Sequence, residues 1–258
     1  MPSSRDRQAA GLALRSALAR LLREVSRALK TFDRDQSAKA HFIRTRVKRL
    51  QSLSRLAPKG ASWRRNFLPP CRRLKDVFSE MRDADVTQAV AGQYAPGEAC
   101  HLRAVMRPDI LRAAQLAEFA SGVLSDYTRW ETMDWKSIAD RSVGTYRAAR
   151  RHWKRARRAK ASDAAFHRWR RRVKRLLYQC EYLGGCARLA RLTGHVRRLG
   201  GMLGDIQDLR VAEEWLARRT GGVSADLPRR KMALRRRALA CGEKLFAARP
   251  CEFRKMLD

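Results

Sequence analysis

An internal repeat constrains this chain more than any other feature. His41, Arg44, Arg46, Val47, Lys48, Arg49 and Leu50 recur as His167, Arg170, Arg172, Val173, Lys174, Arg175 and Leu176, every pair 126 residues apart. Downstream, Arg72, Arg73, Leu74, Asp83 and Val86 recur as Arg197, Arg198, Leu199, Asp208 and Val211, every pair 125 residues apart. The order is kept with a slip of one residue, which marks two homologous halves rather than a chance match. The expected layout is residues 1–128 as one half, 129–137 as a connector and 138–258 as the other. The repeat predicts packing about a pseudo-two-fold axis.

The local pattern predicts an all-α chain of about ten helices. Leu12, Leu14, Leu18, Leu21, Leu22, Val25 and Leu29 recur at helical spacing. No alternating run and no Asn-Gly or Asp-Gly hairpin signal occurs. Breaks are expected at Pro58 to Gly60, at Pro69-Pro70, from Gly92 to Gly97, at Pro108 and from Gly221 to Pro228. The stretch around Trp130 to Trp135 is the least periodic, which makes it the expected connector.

Within the repeated helix the two kinds of residue separate. With the histidine at 0° and a step of about 100° per residue, Ile43, Val47 and Leu50 fall at roughly 180–240°. Trp169, Val173 and Leu176 fall there in the second copy. Arg44 and Lys48, and likewise Arg170 and Lys174, fall at roughly 300–340° and form a row with the histidine. Arg49 and Arg175 flank it. The expectation is a cationic row on the face opposite the core. Like charges on successive turns repel and destabilise a helix. Keeping the row in both copies therefore points to an anionic ligand that neutralises it, on one basic surface shared by the halves.

The composition agrees. Of 258 residues, 58 are Lys or Arg and 25 are Asp or Glu, a formal net charge of +33. The apolar content of 45% is that of a globular chain, so a disordered basic tail is excluded. Such a charge is tolerated when a polyanion neutralises it, and most of the cations are Arg, which grips phosphate oxygens bidentately. Nucleic acid, an acidic membrane surface and a phosphate polymer are the candidate classes.

Other features narrow the field. The six cysteines are scattered, with no CxxC pair and no Cys/His cluster of zinc spacing, and read as reduced buried thiols. No HxxxH or HExxH pair occurs, so neither a metal nor a cofactor is expected. No signal-peptide pattern and no long uncharged apolar stretch appears, and the expected location is cytoplasmic. Arg147, Arg150, Arg151, Lys154, Arg155, Arg157 and Arg158 crowd one predicted helix, and 4-3-4 spacing puts Arg147, Arg151, Lys154 and Arg158 on one face. The run Arg235 to Arg237 reads as solvated. Asp83 and Asp208 read as caps or as carboxylates that orient an Arg. His152 and His195 read as incidental, and His101 carries no signal.

These residues resemble the CHAD family, the conserved histidine α-helical domain. The first-half signature matches His41, Arg44, Lys48, Arg49 and Leu50. The second-half signature, similar to HxWRKxVKxLRYQxE, matches His167, Trp169, Arg170, Val173, Lys174, Leu176, Tyr178, Gln179 and Glu181. An LGxxRDxxV-like element spans Phe78 to Val86 with Arg82 and Asp83, and its counterpart spans Leu203 to Val211. A C-terminal element matches Ala238, Leu239, Gly242, Leu245, Phe246, Pro250 and Phe253. Most of 12–258 is covered. Two positions depart from the pattern. The basic residue ten positions after the histidine is Gln51 in one copy and Leu177 in the other, and the histidine of the second aspartate element is Gln207. No ExExK triphosphatase signature occurs, so the resemblance implies a stand-alone module.

The resemblance implies two four-helix-bundle halves about a pseudo-two-fold and a basic surface that binds inorganic polyphosphate, with an association with polyphosphate granules. The implied contact set is His41, Arg44, Lys48, Arg49, Arg72, Arg73, Arg82, Arg147, Arg151, His167, Arg170, Arg171, Lys174, Arg175, Tyr178, Arg197 and Arg198. No catalytic residue is expected. Two alternatives stay open. An RNA or DNA binder fits the charge, although single-strand binders interleave aromatics with their cations and aromatics are 7% of this chain. A phosphate-handling enzyme would need clustered carboxylates for Mg²⁺, and the basic rows contain none.

Overall fold

The computed structural model describes residues 9–58, 60–94, 108–158, 161–184, 187–220 and 226–257. Among them are ten α-helices and no strand: α1 (Ala10–Lys30), α2 (Gln36–Leu53), α3 (Ser62–Val77), α4 (Ser79–Tyr94), α5 (Ile110–Asp126), α6 (Trp135–Ala156), α7 (Asp163–Leu183), α8 (Ala187–Thr220), α9 (Asp226–Phe246) and α10 (Pro250–Lys255). The all-α expectation holds. The described residues of 1–83 and 105–142 form one compact unit, and those of 84–104 and 143–258 form a second.

In the first unit α1 packs on α2, α2 on α3, α3 on α5, and α5 back on α1, which closes a four-helix ring. The apolar stripes read from the sequence meet at its centre. Leu14, Leu18, Leu22 and Val25 of α1 are buried with Ile43, Val47 and Leu50 of α2 and Phe67 and Leu74 of α3. Ala113, Ala117, Ala120 and Leu124 are the buried face of α5, small along most of its length. The segment expected as a connector, 129–137, contributes to this unit: Trp130 and Met133 are buried, and the Trp130 ring lies 4.8 Å from Trp63 and 5.2 Å from Tyr127.

Pro69-Pro70 does not break the chain as expected; both prolines lie inside α3. A proline removes the hydrogen bond to the carbonyl four residues back. Those carbonyls belong to Arg65 and Asn66, which are exposed, so the lost donors fall on the solvent side of the helix rather than in the core. The helix ends eight residues later at Phe78, whose buried ring packs 5.4 Å from Phe32.

The second unit is built on α6 to α10. α7 packs on α8 and α8 on α9. Trp169 is fully buried against α9 at Gly242, where a Cβ would stand 2.6 Å from Trp153 and 2.9 Å from Trp169. Only glycine admits both indoles. Tyr146 of α6 stacks on Phe253 of α10 at 4.6 Å with the rings 8° apart. Val86, from the part of α4 in this unit, packs on Leu209, Ala212, Leu216 and Leu227. At one end Asp163 of α7 pairs with Arg235 and Lys231 of α9, and Lys231 also pairs with Glu213 of α8. Arg235 further lies over the Phe166 ring at 4.7 Å. The reading of Arg235 as solvated is thus corrected: it is an internal tie between helices, while Arg236 and Arg237 are exposed.

Candidate functional site

The second copy of the cationic row lies in the groove between α7 and α8. Going up α7, His167 faces Gln207, Arg170 faces Gly204 and Lys174 faces Gly200, an antiparallel register at helical spacing. His167 Nδ1 is 2.8 Å from the Gln207 amide. A Cβ placed on Gly204 would be 3.8 Å from Arg170 Nη2, and one on Gly200 would be 3.6 Å from Lys174 Cε. The two glycines leave a trough in which the long side chains lie along α8 with their stems covered. Arg170, Lys174 and His167 are half-buried as a result.

That placement corrects the wheel. The row does not stand opposite the core in open solvent; it is the flank of the α7–α8 contact. A helix in a bundle has two neighbours, so the covered arc is wider than its apolar stripe. The electrostatic consequence falls on Lys174. Burial and then the neighbouring Arg170 lower its pKa from the ordinary lysine value, while Glu181, Asp205 and Asp208 oppose the shift. Asp208, read as a cap or as a carboxylate that orients an Arg, here acts on a lysine.

Gln207 is more than a filler where the signature has histidine. Its amide satisfies both neighbours when the nitrogen faces His167 Nδ1 at 2.8 Å and the oxygen faces Arg210 at 3.0 and 3.2 Å. That orientation is assigned from the hydrogen-bond network. Nδ1 then accepts, and the proton of the neutral ring sits on Nε2. Arg210 is itself paired with Glu214.

The first copy repeats the register with different partners. Arg44 Nη1 donates to the Lys75 carbonyl at 3.1 Å and to Ser79 Oγ at 2.8 Å. Ser79 occupies the position of Gly204, and Lys75 that of Gly200. Arg44 therefore clamps the junction of α3 and α4, which is a structural task the row assignment did not foresee. Burial and then Arg82 lower its pKa from the ordinary arginine value, with Asp83 and Asp76 opposing. Asp83 pairs with Arg82 at 3.2 Å. Lys48 and Arg49 are half-buried and His41 is exposed. Gln51 donates to the Cys71 carbonyl at 3.1 Å and so ties α2 to α3.

The remaining expected residues fall into three groups. Arg175 and Tyr178 are half-buried on α7, and Arg171 is exposed there. Arg72, Arg73 and Arg198 are exposed, as is Arg197, which pairs with Glu181 at 2.9 Å. Arg147 and Arg151 line a separate pocket on α6 with Arg150, Lys154 and Pro250. His101 lies outside the described residues. Sequence reasoning missed the Gly200–Gly204 trough and the roles of Gln207, Arg210 and Ser79. The glycines at i and i+4 were a visible signal, because small residues at that spacing let a neighbouring helix or a long side chain approach closely.

Chemically, such an arrangement is suited to an anion. It offers guanidinium, ammonium and imidazole donors in sequence, and its fully buried indole, Trp169, is turned away into the core. Among the described residues no group of three His, Cys, Asp or Glu could hold a metal ion. None of their helices is long and apolar enough to cross a membrane.

The comparisons with known proteins bear on the same region. The CHAD domain profile matches residues 13–217. The crystal structure of the CHAD domain from the plant Ricinus communis is similar, with a TM-score of 0.58 at 19% identity over 96% of this chain and 91% of that one. At that identity the likeness is one of fold. No curated protein matches the chain.

Proposed function

The chain belongs to the CHAD family, and from that premise we propose that it is a non-enzymatic receptor for inorganic polyphosphate. The observation that carries the reading is the α7–α8 trough. His167, Arg170 and Lys174 stand on successive turns, three and four residues apart and half-buried, with Gly204 beneath Arg170 and Gly200 beneath Lys174. Polyphosphate has a charge on each unit and no bases. A receptor for it needs closely spaced cations at fixed intervals and no stacking platform. Lys174, already destabilised as a cation by burial and by Arg170, gains most from an incoming phosphate. Lys48 and Arg49 on α2 offer the corresponding positions in the first unit. Binding to granules of the polymer and a cytoplasmic location follow from the same reading.

Affinity comes mainly from released counterions. By analogy with single-stranded nucleic acid, log K falls with log salt by about 0.7 per phosphate neutralised. About eight contacts then give a slope near −5 to −6. Longer chains bind better because neighbouring patches act on one polymer.

The test is a titration of long-chain polyphosphate against NaCl, with single- and double-stranded RNA as competitors. Arg170→Gln with Lys174→Gln runs beside the wild type, with circular dichroism to establish that the fold is kept. The expected result is binding that RNA displaces poorly and that drops at least tenfold in the double variant. Displacement by RNA at equal phosphate, or unchanged affinity in a folded double variant, overturns the reading.

A further inference from the structure

α6 carries a second cluster that shares no residue with the α7–α8 trough. From residue 143 to 158 the chain has no carboxylate, yet it holds Arg147, Arg150, Arg151, Lys154, Arg155, Arg157 and Arg158. Four of these, Arg147, Arg150, Arg151 and Lys154, converge with Pro250 around a pocket of about 180 Å³. Among the described residues Arg147, Arg151 and Lys154 enter no ion pair. The four span two turns, about 10 Å along the axis, which is room for several linked phosphates rather than one.

Hydrogen bonds tie the α6 side of the pocket to the end of α9. The Tyr146 hydroxyl lies 3.0 Å from the Leu245 carbonyl and 2.9 Å from that of Ala248, in a bifurcated bond. Arg150 Nε donates to the Phe246 carbonyl at 3.0 Å. Together they pin the end of α9 and the turn that follows, and Pro250 opens α10 as a fixed wall. Arg150 is thereby held in place, and the other three cations remain available. The charge density extends past the pocket: Arg151, Arg155, Arg168 and Arg172 all act on His152, which burial and these neighbours hold below the ordinary histidine value.

We propose that the α6 pocket is a second, independent oligophosphate site, with Arg147, Arg151 and Lys154 as its ligands and Arg150 as a pinned fourth donor. The proposal rests on the polyphosphate reading and divides the implied contact set into two sites. It predicts that short oligophosphates fill the trough and the pocket separately, while a long polymer is held at both.

The experiment is calorimetric titration of the full chain with tripolyphosphate at low salt. Three proteins are compared: wild type, the pocket variant Arg147→Gln/Arg151→Gln/Lys154→Gln, and the trough variant Arg170→Gln/Lys174→Gln. Arg150 is left intact because it supports the turn after α9. The expected pocket variant keeps the wild-type melting temperature, loses one class of tripolyphosphate sites and retains the class that the trough variant loses. An unchanged stoichiometry in the pocket variant overturns the second site. So does a single class of sites abolished by either variant, which would make them one site. Absence of any tripolyphosphate or long-chain binding by the wild type overturns the polyphosphate reading itself.

Discussion

His167 and Gln207 meet at 2.8 Å across the α7–α8 groove, and Arg210 holds the other end of the same amide. The contact sets which ring nitrogen of His167 accepts. It leaves Nε2 as the donor of the neutral ring, and so gives a residue of the row a defined hydrogen-bonding direction.

Gln207→Leu removes that order. Arg210 loses an acceptor and His167 loses the partner of its Nδ1, at an expected cost of about 1 kcal/mol in stability. Nitrogen chemical shifts of the His167 ring should show one tautomer in the wild type and a mixture in the variant. A single unchanged tautomer in Gln207→Leu refutes the assignment.

The glycines divide into required and replaceable. At Gly11 a Cβ would stand 1.7 Å from the Trp130 carbonyl oxygen, and at Gly242 it would meet both indoles. Gly11→Ala and Gly242→Ala should each destabilise by about 1–3 kcal/mol or more, since both overpack a closed contact. At Gly201 nothing lies within 4 Å, so Gly201→Ala should stabilise by about 0.8–1 kcal/mol through helix propensity. Thermal melts of the three variants test this, and a stabilised Gly11→Ala contradicts it.

Gly204→Leu separates fold from ligand. The trough there is bounded by Arg170 at 3.8 Å, ordinary contact for a Cβ but not for an isobutyl group. The longer side chain takes the space along which the guanidinium lies. The expected outcome is a folded protein with polyphosphate affinity reduced several-fold, against near wild-type binding for Gly204→Ala. Equal binding by both variants argues that Arg170 does not act from the trough.

The ion network of Asp163, Lys231, Glu213 and Arg235 joins three helices with little exposure of the cations. Asp163→Asn leaves two of them short of a partner. Removing one member of a buried pair costs about 3–5 kcal/mol, and the exposure of Asp163 reduces this to about 1–3 kcal/mol. Urea denaturation measures it. A loss that vanishes in 1 M NaCl would show the pairs to be surface-screened instead.

His152 gives a pH signature. Its folded-state pKa is below the ordinary value of 6.5, because burial and then Arg172, Arg155, Arg168 and Arg151 disfavour its proton. The unfolded chain binds that proton more readily, so stability rises with pH across this window. The contribution is present above about pH 6.5 and is lost as pH falls through the folded value. Titration of the His152 ring resonance should give a midpoint under 6.5 that moves up when tripolyphosphate is added. A midpoint at or above 6.5 in the free protein contradicts the arrangement.

The sequence alone determined the helical class, the internal repeat and the identity of most cations. Those properties are local or repeated: a 3.6-residue stripe such as Ile43, Val47 and Leu50 needs no partner to be recognised. The core orientation of Trp169 was legible for the same reason. Only the tertiary structure decided which cations are spent on the fold and which face outward. Arg44 and Arg170 occupy equivalent positions on their helices, yet Arg44 donates to Lys75 and Ser79 while Arg170 lies beside Gly204. The difference comes from the neighbouring helix, which offers a carbonyl and a hydroxyl in one case and bare backbone in the other. Arg235, inside a run that looks solvated, was drawn into an ion network because Asp163, far away in sequence, is brought against it. A single-helix wheel has no term for such partners, since burial and pairing arise only when distant elements pack together.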